Sequence, residues 1–398
     1  MTAGILVTIT LGMLYAWSVF IIPLSEHFGS SISDVSAIYT VQMLAFCAAG
    51  VINGRLQDRG VRLAVTMGIS ALLMGAGFIV NGLAESLTCI YVSYGILFAG
   101  GVGMGYNSVL SSVVKWFPEK KGVVTGILLM GYGSGSLVWS TVCTRMMEIV
   151  KLQSLFIAVG IVFIIVIGGG GLVLDSFSER IRKQNEQRES EGGTVMSAAD
   201  VKPSQMVKSP VFILFYLWLF FYAVCGQSFI SNVSPMAVSI GCTSMTAAVI
   251  VGAAAVFNGF GRIIIGALLD KFRLTSIMLV LSIYLVCMLT VIMISLETDN
   301  SVLFTAGALG MGISFSGIPI TMAMFIADTW GMKYYAANYS IANTCMLPQS
   351  LIGVMLFTRI VGSTGAYASG FRLLLLFAAL LVVNTVLIMK VRNNEKNI

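Results

Sequence analysis

Long uncharged apolar runs alternate with short charged stretches along almost the whole chain. A helix that crosses a bilayer needs about 20 apolar residues. Residues 1–25, 35–54, 63–84, 86–114, 122–144 and 152–174 each read as one crossing. Residues 175–208 follow, a 34-residue stretch with six acids and six bases, interrupted by Gly192, Gly193 and Pro203, which predicts a solvated linker. Residues 209–261 form a run of 53. At ~1.5 Å per residue this run spans about 80 Å, too long for one crossing of ~30 Å. It must hold two helices, broken near residues 232–243 where Pro235 and Gly241 fall. Residues 274–296, 301–327, 334–358 and 373–389 complete a pattern of six spans, a linker and six more. The pattern predicts an all-α integral membrane protein of 12 transmembrane helices, with halves at 1–174 and 209–398 around a linker at 175–208. The opening run is too long for the apolar core of a signal peptide and lacks a basic start, so it reads as the first transmembrane helix.

Composition agrees with a lipid solvent. Of 398 residues, 57% are apolar and 10% charged, against about 25% charged in a soluble domain. Such a chain could not cover a soluble enzyme's surface. Orientation follows from the basic residues, because short cytoplasmic loops carry the excess of Lys and Arg. With the N-terminus in the cytoplasm, 18 of the 23 bases fall on that side and four outside, leaving Arg262 within a span. Both termini are then cytoplasmic, and the plasma membrane is the expected location. The net charge of +6 reflects topology and gives no reason to expect nucleic acid.

Two charged loops repeat. Gly54-Arg55-Leu56-Gln57-Asp58-Arg59 follows the second span and Gly266-Ala267-Leu268-Leu269-Asp270-Lys271 follows the eighth. Trp116 and Trp330 recur at nearly the same offset. Parallel six-helix halves of this kind are the internal symmetry of a secondary transporter with its site at the repeat interface. In each loop the glycine permits close helix packing, while the acid can pair with a base or cap a helix. Asp58, Arg59, Asp270 and Lys271 are therefore candidates for a conformational latch. A hairpin whose charges only set topology is the alternative.

The chemistry centres on Arg262, the one charge well inside a span. A buried arginine costs at least ~2.5–3.5 kcal/mol, so it normally faces a cavity and has a function. Its planar fork of donors suits a carboxylate. Asn258, one turn earlier, adds an amide to the same face. Together they read as a carboxylate clamp, the alternative being an arginine that snorkels to the interface. No metal cluster, cofactor loop or catalytic triad is evident. The glycines of Gly100-Gly101-Val102-Gly103-Met104-Gly105 lie within an apolar span and not after a strand. Neither an enzyme nor a bound cofactor is expected.

The repeated loops resemble those of the major facilitator superfamily. Further strings resemble its oxalate–formate antiporter and bacterial monocarboxylate transporter branch: Tyr15-Ala16-Trp17-Ser18, Lys115-Trp116-Phe117-Pro118, Gly131-Tyr132-Gly133-Ser134-Gly135, Asn258-Gly259-Phe260-Gly261-Arg262 and Ala336-Ala337-Asn338-Tyr339. The resemblance implies the major facilitator fold, with two pseudo-symmetric halves, and an anion cavity lined by Tyr15, Gln42, Tyr106 and Tyr132. Trp17 reads as packing. Oxalate-transporting members carry a lysine where this chain has Met346. One fixed cation balances a monoanion, whereas a dianion would leave net charge in a low-dielectric site. The expected function is alternating-access transport of a small carboxylate of the lactate, pyruvate or formate type, with a proton or a counter-anion as coupling partner and the chain acting as a monomer. An oxalate–formate exchanger, a carrier of an unrelated solute such as a sugar or drug, and a non-transporting sensor are the alternatives. A sensor would be expected to carry a long signalling tail.

Overall fold

The computed structural model describes residues 1–190 and 200–395. Gly192, Gly193 and Lys396 lie outside the described residues, and for Arg182, Lys183 and Arg188 only the backbone is described. The described chain is helical and falls into two compact units. One comprises Met1–Pro203 together with Ile326–Ile341, and the other Ser204–Phe325 with Ala342–Ile398.

The first unit is built from α1 (Thr2–Leu11), α2 (Ser18–Phe28), α3 (Ile32–Asp58), α4 (Leu63–Gly82), α5 (Leu87–Ile90), α6 (Ala99–Val113), α7 (Lys121–Met147) and α8 (Leu152–Ser190). The expected single helix over 1–25 is instead a pair. A 3₁₀ segment, Gly12–Ala16, joins α1 to α2, and the pair bends by 48°. A π-helical segment, Tyr91–Phe98, joins α5 to α6. The helix starts are explained by their caps: Ser31 accepts from the Asp34 amide and Ser86 from the Cys89 amide. The polar stretch after residue 174 does not interrupt the helix at once, because α8 continues to Ser190. Its charges suit a solvated helix as well as a loop.

Asp175 is fixed by this continuation. Its carboxylate accepts from the backbone amide of Ala64 in the first turn of α4 at 3.1 Å and pairs with Arg62 at 2.7 Å. Glu179 pairs with the same guanidinium at 2.9 Å. The hydrogen bond and charge of Asp175, with Glu179, raise the pKa of Arg62 above its ordinary value. An acid at a helix N-terminus is favoured by the helix dipole. The unit's interior is aromatic. Trp17 lies 4.4 Å from Tyr94, and Phe78 lies 4.8 Å from Phe98 and 4.9 Å from Phe163, between ring centroids.

The second unit contains α9 (Pro203–Met206, opening at the boundary), α10 (Pro210–Ile230), α11 (Val233–Ser239), α12 (Ser244–Lys271), α13 (Leu274–Glu297) and most of α14 (Ser301–Trp330). The expected break in the 53-residue run is present: α10 ends at Ile230, α11 is short, and Thr243 caps α12. Span eleven is broken into α15 (Tyr335–Asn343), α16 (Met346–Pro348), a π-helical segment Gln349–Val354 and α17 (Met355–Thr364). Proline cannot donate to the helix ladder, and Pro348 sits at this break. α18 (Tyr367–Glu395) closes the chain. Ten single helices are long and apolar enough to span, and the bent pair makes eleven. Residues 335–364, where the twelfth was expected, are broken into shorter helices, so the count among the described residues is ten or eleven. Buried side chains bond across this unit: Trp218 Nε1 donates to Ser282 Oγ at 3.2 Å, Ser282 meets Thr385 at 3.0 Å, and Tyr222 meets Ser314 at 2.7 Å.

Within this framework helix contacts depend on absent side chains. A methyl group at Gly101 of α6 would lie 2.7 Å from the Met74 backbone nitrogen and 2.8 Å from the Ser70 carbonyl oxygen, whereas one at Gly68 of α4 would meet nothing within 4 Å. Gly101→Ala should therefore cost about 1–3 kcal/mol through overpacking. Gly68→Ala should be neutral or stabilising by up to about 1 kcal/mol through helix propensity. Thermal unfolding of the two variants in one detergent checks the contrast.

Candidate functional site

In the first unit, glycine brings two helices close enough for their tyrosines to meet. A Cβ at Gly12 would fall 2.7 Å from the Cα of Gly135 on α7, so the 3₁₀ segment and α7 cross backbone to backbone. Tyr15 and Tyr132 lie on either side of this crossing, with ring centroids 5.3 Å apart. Tyr132 in turn sits 4.8 Å from Tyr106 on α6. Tyr106 and Tyr132 are buried, while Tyr15 is 39% exposed. Three of the four aromatic and amide residues expected in the cavity are thus brought together. The fourth, Gln42, is fully buried on α3 and donates from Nε2 to the carbonyl of Leu14 at 2.8 Å. It braces the turn that carries Tyr15. Trp17 is buried against Tyr94, in keeping with a packing role.

The run of tyrosines continues beyond the expected residues. Tyr106 and Tyr339 share a hydrogen bond between hydroxyls at 3.0 Å, and Tyr339 stacks on Tyr335 with centroids 5.8 Å apart. Both belong to α15, in the segment 326–341 that packs with the first unit. Asn107, next to Tyr106, donates to the carbonyls of Gly50 at 3.1 Å and Ala336 at 3.0 Å and to the hydroxyl of Ser340. Ser340 also bonds to the Gly50 carbonyl at 2.8 Å. Asn338 donates to the Val201 carbonyl at 3.1 Å, and the Val201 amide to the Trp330 carbonyl at the same distance.

The repeated loop lies in this packing. A Cβ at Gly54 would sit 2.6 Å from the Cα of Ala337, the close approach that the loop glycine permits. Asp58 ends α3 half-buried and Arg59 caps it, exposed. The loop base that pairs with acids in the first unit is Arg62, three residues on from Arg59. Beside the loop runs a polar network that sequence reasoning passed over. Asn53 and Gln57 both donate to Ser108 at 3.0 Å, Ser111 donates to Gln57 at 2.6 Å, and Ser108 donates to Thr66 at 3.1 Å. The signal was available in the spacing. Asn53 and Gln57 are four apart, and Ser108 and Ser111 three apart, each pair on one helix face.

In the second unit, Asn258 and Arg262 lie one turn apart in the middle of α12, both partly buried. Arg262 has its Nε fully enclosed. Asp270 and Lys271 end the same helix, with Lys271 exposed. Met346 opens α16, directly after the break in span eleven, and is half-buried. Among the described residues no group of three or more metal-binding side chains occurs.

Comparison with known proteins brings the architecture and the chemistry into one frame. The profile of the Major Facilitator Superfamily matches residues 3–353. The chain is 27% identical over 340 residues to the MFS-type transporter YhjX of Escherichia coli K12, covering 85% of this chain and 81% of that one. It is 23% identical over 357 residues to the oxalate:formate antiporter of Oxalobacter formigenes, covering 88% and 81%. Monocarboxylate transporter 12 of Mus musculus matches at 24% over 280 residues, covering 64% and 56%. Among solved structures, a bacterial homologue of the iron transporter ferroportin in an outward-facing state has a TM-score of 0.71 at 14% identity, covering 98% and 99%. The transporter FucP in its outward conformation has a TM-score of 0.68 at 12% identity, covering 98% of each chain.

Proposed function

The chain belongs to the major facilitator superfamily, a family of membrane transporters, and we propose that within it this protein carries a small monocarboxylate across the plasma membrane by alternating access. The observation that carries this reading is Arg262, a guanidinium well inside a membrane-spanning helix with an amide one turn away. An arginine at such depth is costly and normally faces a cavity and has a function. A carboxylate fits its planar fork. Tyr15, Tyr106 and Tyr132 supply hydroxyl donors on apolar rings, and Gln42 braces the turn that holds Tyr15. The likeness to a protein named for oxalate and formate and to proteins named for monocarboxylates supports an organic anion. Met346 supports a monoanion of the lactate, pyruvate or formate type over oxalate. Coupling is to a proton carried with the substrate acid or to a counter-anion, and both termini face the cytoplasm. The protein acts as a monomer.

Asp58 with Arg59, and Asp270 with Lys271, act in this reading as latches on the conformational equilibrium. Uptake of labelled acids by reconstituted vesicles, with and without counter-substrate inside, tests the function as a whole. Transport of no carboxylate in the panel would refute it.

Arg262→Ala should abolish uptake with insertion intact, because the anion loses its fixed counter-charge. Removing one partner of a buried charge pair costs about 3–5 kcal/mol. Arg262→Lys should also be impaired, since a point charge lacks the fork. Near wild-type uptake by a normally expressed Arg262→Ala protein would sink the clamp. Asp58→Asn and Asp270→Asn should slow exchange several-fold while leaving equilibrium substrate affinity within about twofold, as a purely conformational role requires. Lost affinity with unchanged turnover would count against the latch. Met346→Lys adds a second fixed cation, so the oxalate-to-lactate uptake ratio should rise, most strongly at lower pH where a desolvated lysine is charged. A ratio that stays flat at every pH would remove Met346 from the site.

A further inference from the structure

We propose that residues 200–203, near the end of the linker, are a strap that holds residues 326–341 in the first unit, so that release of the strap gates the conformational change of the transporter. The inference rests on membership of a transporter family and not on the carboxylate reading.

The strap is made by backbone and carboxylate, at three points on one turn. The Val201 amide donates to the Trp330 carbonyl at 3.1 Å, and the Val201 carbonyl accepts from Nδ2 of Asn338 at 3.1 Å. The Asp200 carboxylate accepts from the Lys333 amide at 3.2 Å. Trp330 ends α14 and Asn338 lies on α15, so the strap crosses the turn between the two helices. Asn338 is fully buried. A buried donor that loses its acceptor costs more than the bond itself contributes. The linker is therefore part of the packing of α15 and not a tether lying over it. The string Ala336-Ala337-Asn338-Tyr339 gains a physical reason: small residues allow the close approach of Ala337 to Gly54, and the asparagine binds the linker.

The strap also reaches the body of the first unit. Asp200 and Asp58 both act electrostatically on Lys115, in the 3₁₀ turn Val114–Trp116 that follows α6. Asp200 thus joins the turn 330–338 to the end of α6, through an attraction that salt weakens. Upstream, Asp175 and Glu179 pair with Arg62. The linker is therefore fixed to the first unit at Asp175 and again at Asp200. α14 passes from the second unit into the first after Phe325, and α15 passes back after Ile341. When the two units rearrange, either these helices bend or residues 326–341 leave the first unit. The bonds at Ala336 and Ser340 oppose their departure from one side of the sequence, and the strap adds three more that the linker supplies. Contacts present in one state and absent from the other bias the equilibrium between them.

Hydrogen–deuterium exchange of the full-length protein in lipid nanodiscs, without substrate, tests the strap. Val201→Pro removes the amide donor, while Val201→Ala keeps both backbone groups. In Val201→Pro, exchange in residues 330–340 should rise about tenfold, the scale of one hydrogen bond. Residues 53–58, which Ala337 approaches at Gly54, should rise with them, and α13 should stay within about twofold of wild type, as should Val201→Ala throughout. Asp200→Asn keeps an acceptor for the Lys333 amide and removes the charge. Exchange in both regions should rise about threefold at low salt, and the difference should vanish at about 1 M salt, where charges are screened within ~3 Å. A rise confined to 330–340 would overturn the gate, because the segment would then loosen without leaving the first unit. No rise in Val201→Pro, or an equal rise in Val201→Ala, would overturn the strap itself. An Asp200→Asn protein that exchanges like wild type at low salt would overturn the bridge to Lys115 and the proposal with it. Should Val201→Pro not insert, Asp200→Asn, which alters an exposed side chain, carries the decision. No substrate enters the experiment, so failure of carboxylate uptake would refute the functional reading alone.

Discussion

Hydrocarbon offers no hydrogen-bond partner, and every polar group placed in it must find one inside the protein. The helices satisfy their own backbones. What remains are the side chains that tie helix to helix and the positions where helices break. Both units show the consequence. Ser282 joins Trp218 to Thr385 in one, and Asn107 gathers Gly50, Ala336 and Ser340 in the other. Lipid tails are as apolar as leucine, so no hydrophobic force draws membrane helices together. Close backbone approach at glycine and these few polar ties take its place.

That division of labour explains where chemistry can sit. A charge well inside a span is tolerated only for a reason, and Arg262 is the base that α12 carries away from its ends. Tyrosines serve the same surroundings differently, since an aromatic ring is at home in an apolar interior while its hydroxyl seeks a partner. The cluster from Tyr15 to Tyr335 holds five such rings in contact, and the Gly12–Gly135 crossing is what lets its first two members meet.

Much of the fold was legible in one dimension because length and apolar content are local properties. The break between α10 and α12 followed from helix length alone, and the paired loops at Asp58 and Asp270 stood out through their spacing. The bend at Gly12–Ala16 was hidden because its residues are as apolar as the helices they join. The run of α8 past Asp175 was missed because a charged sequence reads alike as loop and as solvated helix. The site was legible only in part. Tyr106 and Tyr132 could be named from resemblance, but Tyr339 lies 233 positions from its hydroxyl partner, and no local pattern joins them. Asn53, Asn107 and Ser108 look like scattered polar residues in apolar spans until their partners are seen. Arg62 pairs with acids of the first unit because those acids stand on α8, a helix whose extent the charge pattern did not reveal.

The membership of residues 326–341 in the first unit has a bearing on how the protein is made. A ribosome delivers the chain in order, and early domains generally fold first. Here the first six spans emerge long before the segment that completes their packing. Until residue 341 has been synthesised, the amide of Asn107 lacks its acceptors on Ala336 and Ser340, and the bare backbone face at Gly54 lacks Ala337. The contacts between the first six spans and residues 326–341 can therefore form only once the tenth and eleventh spans have been made.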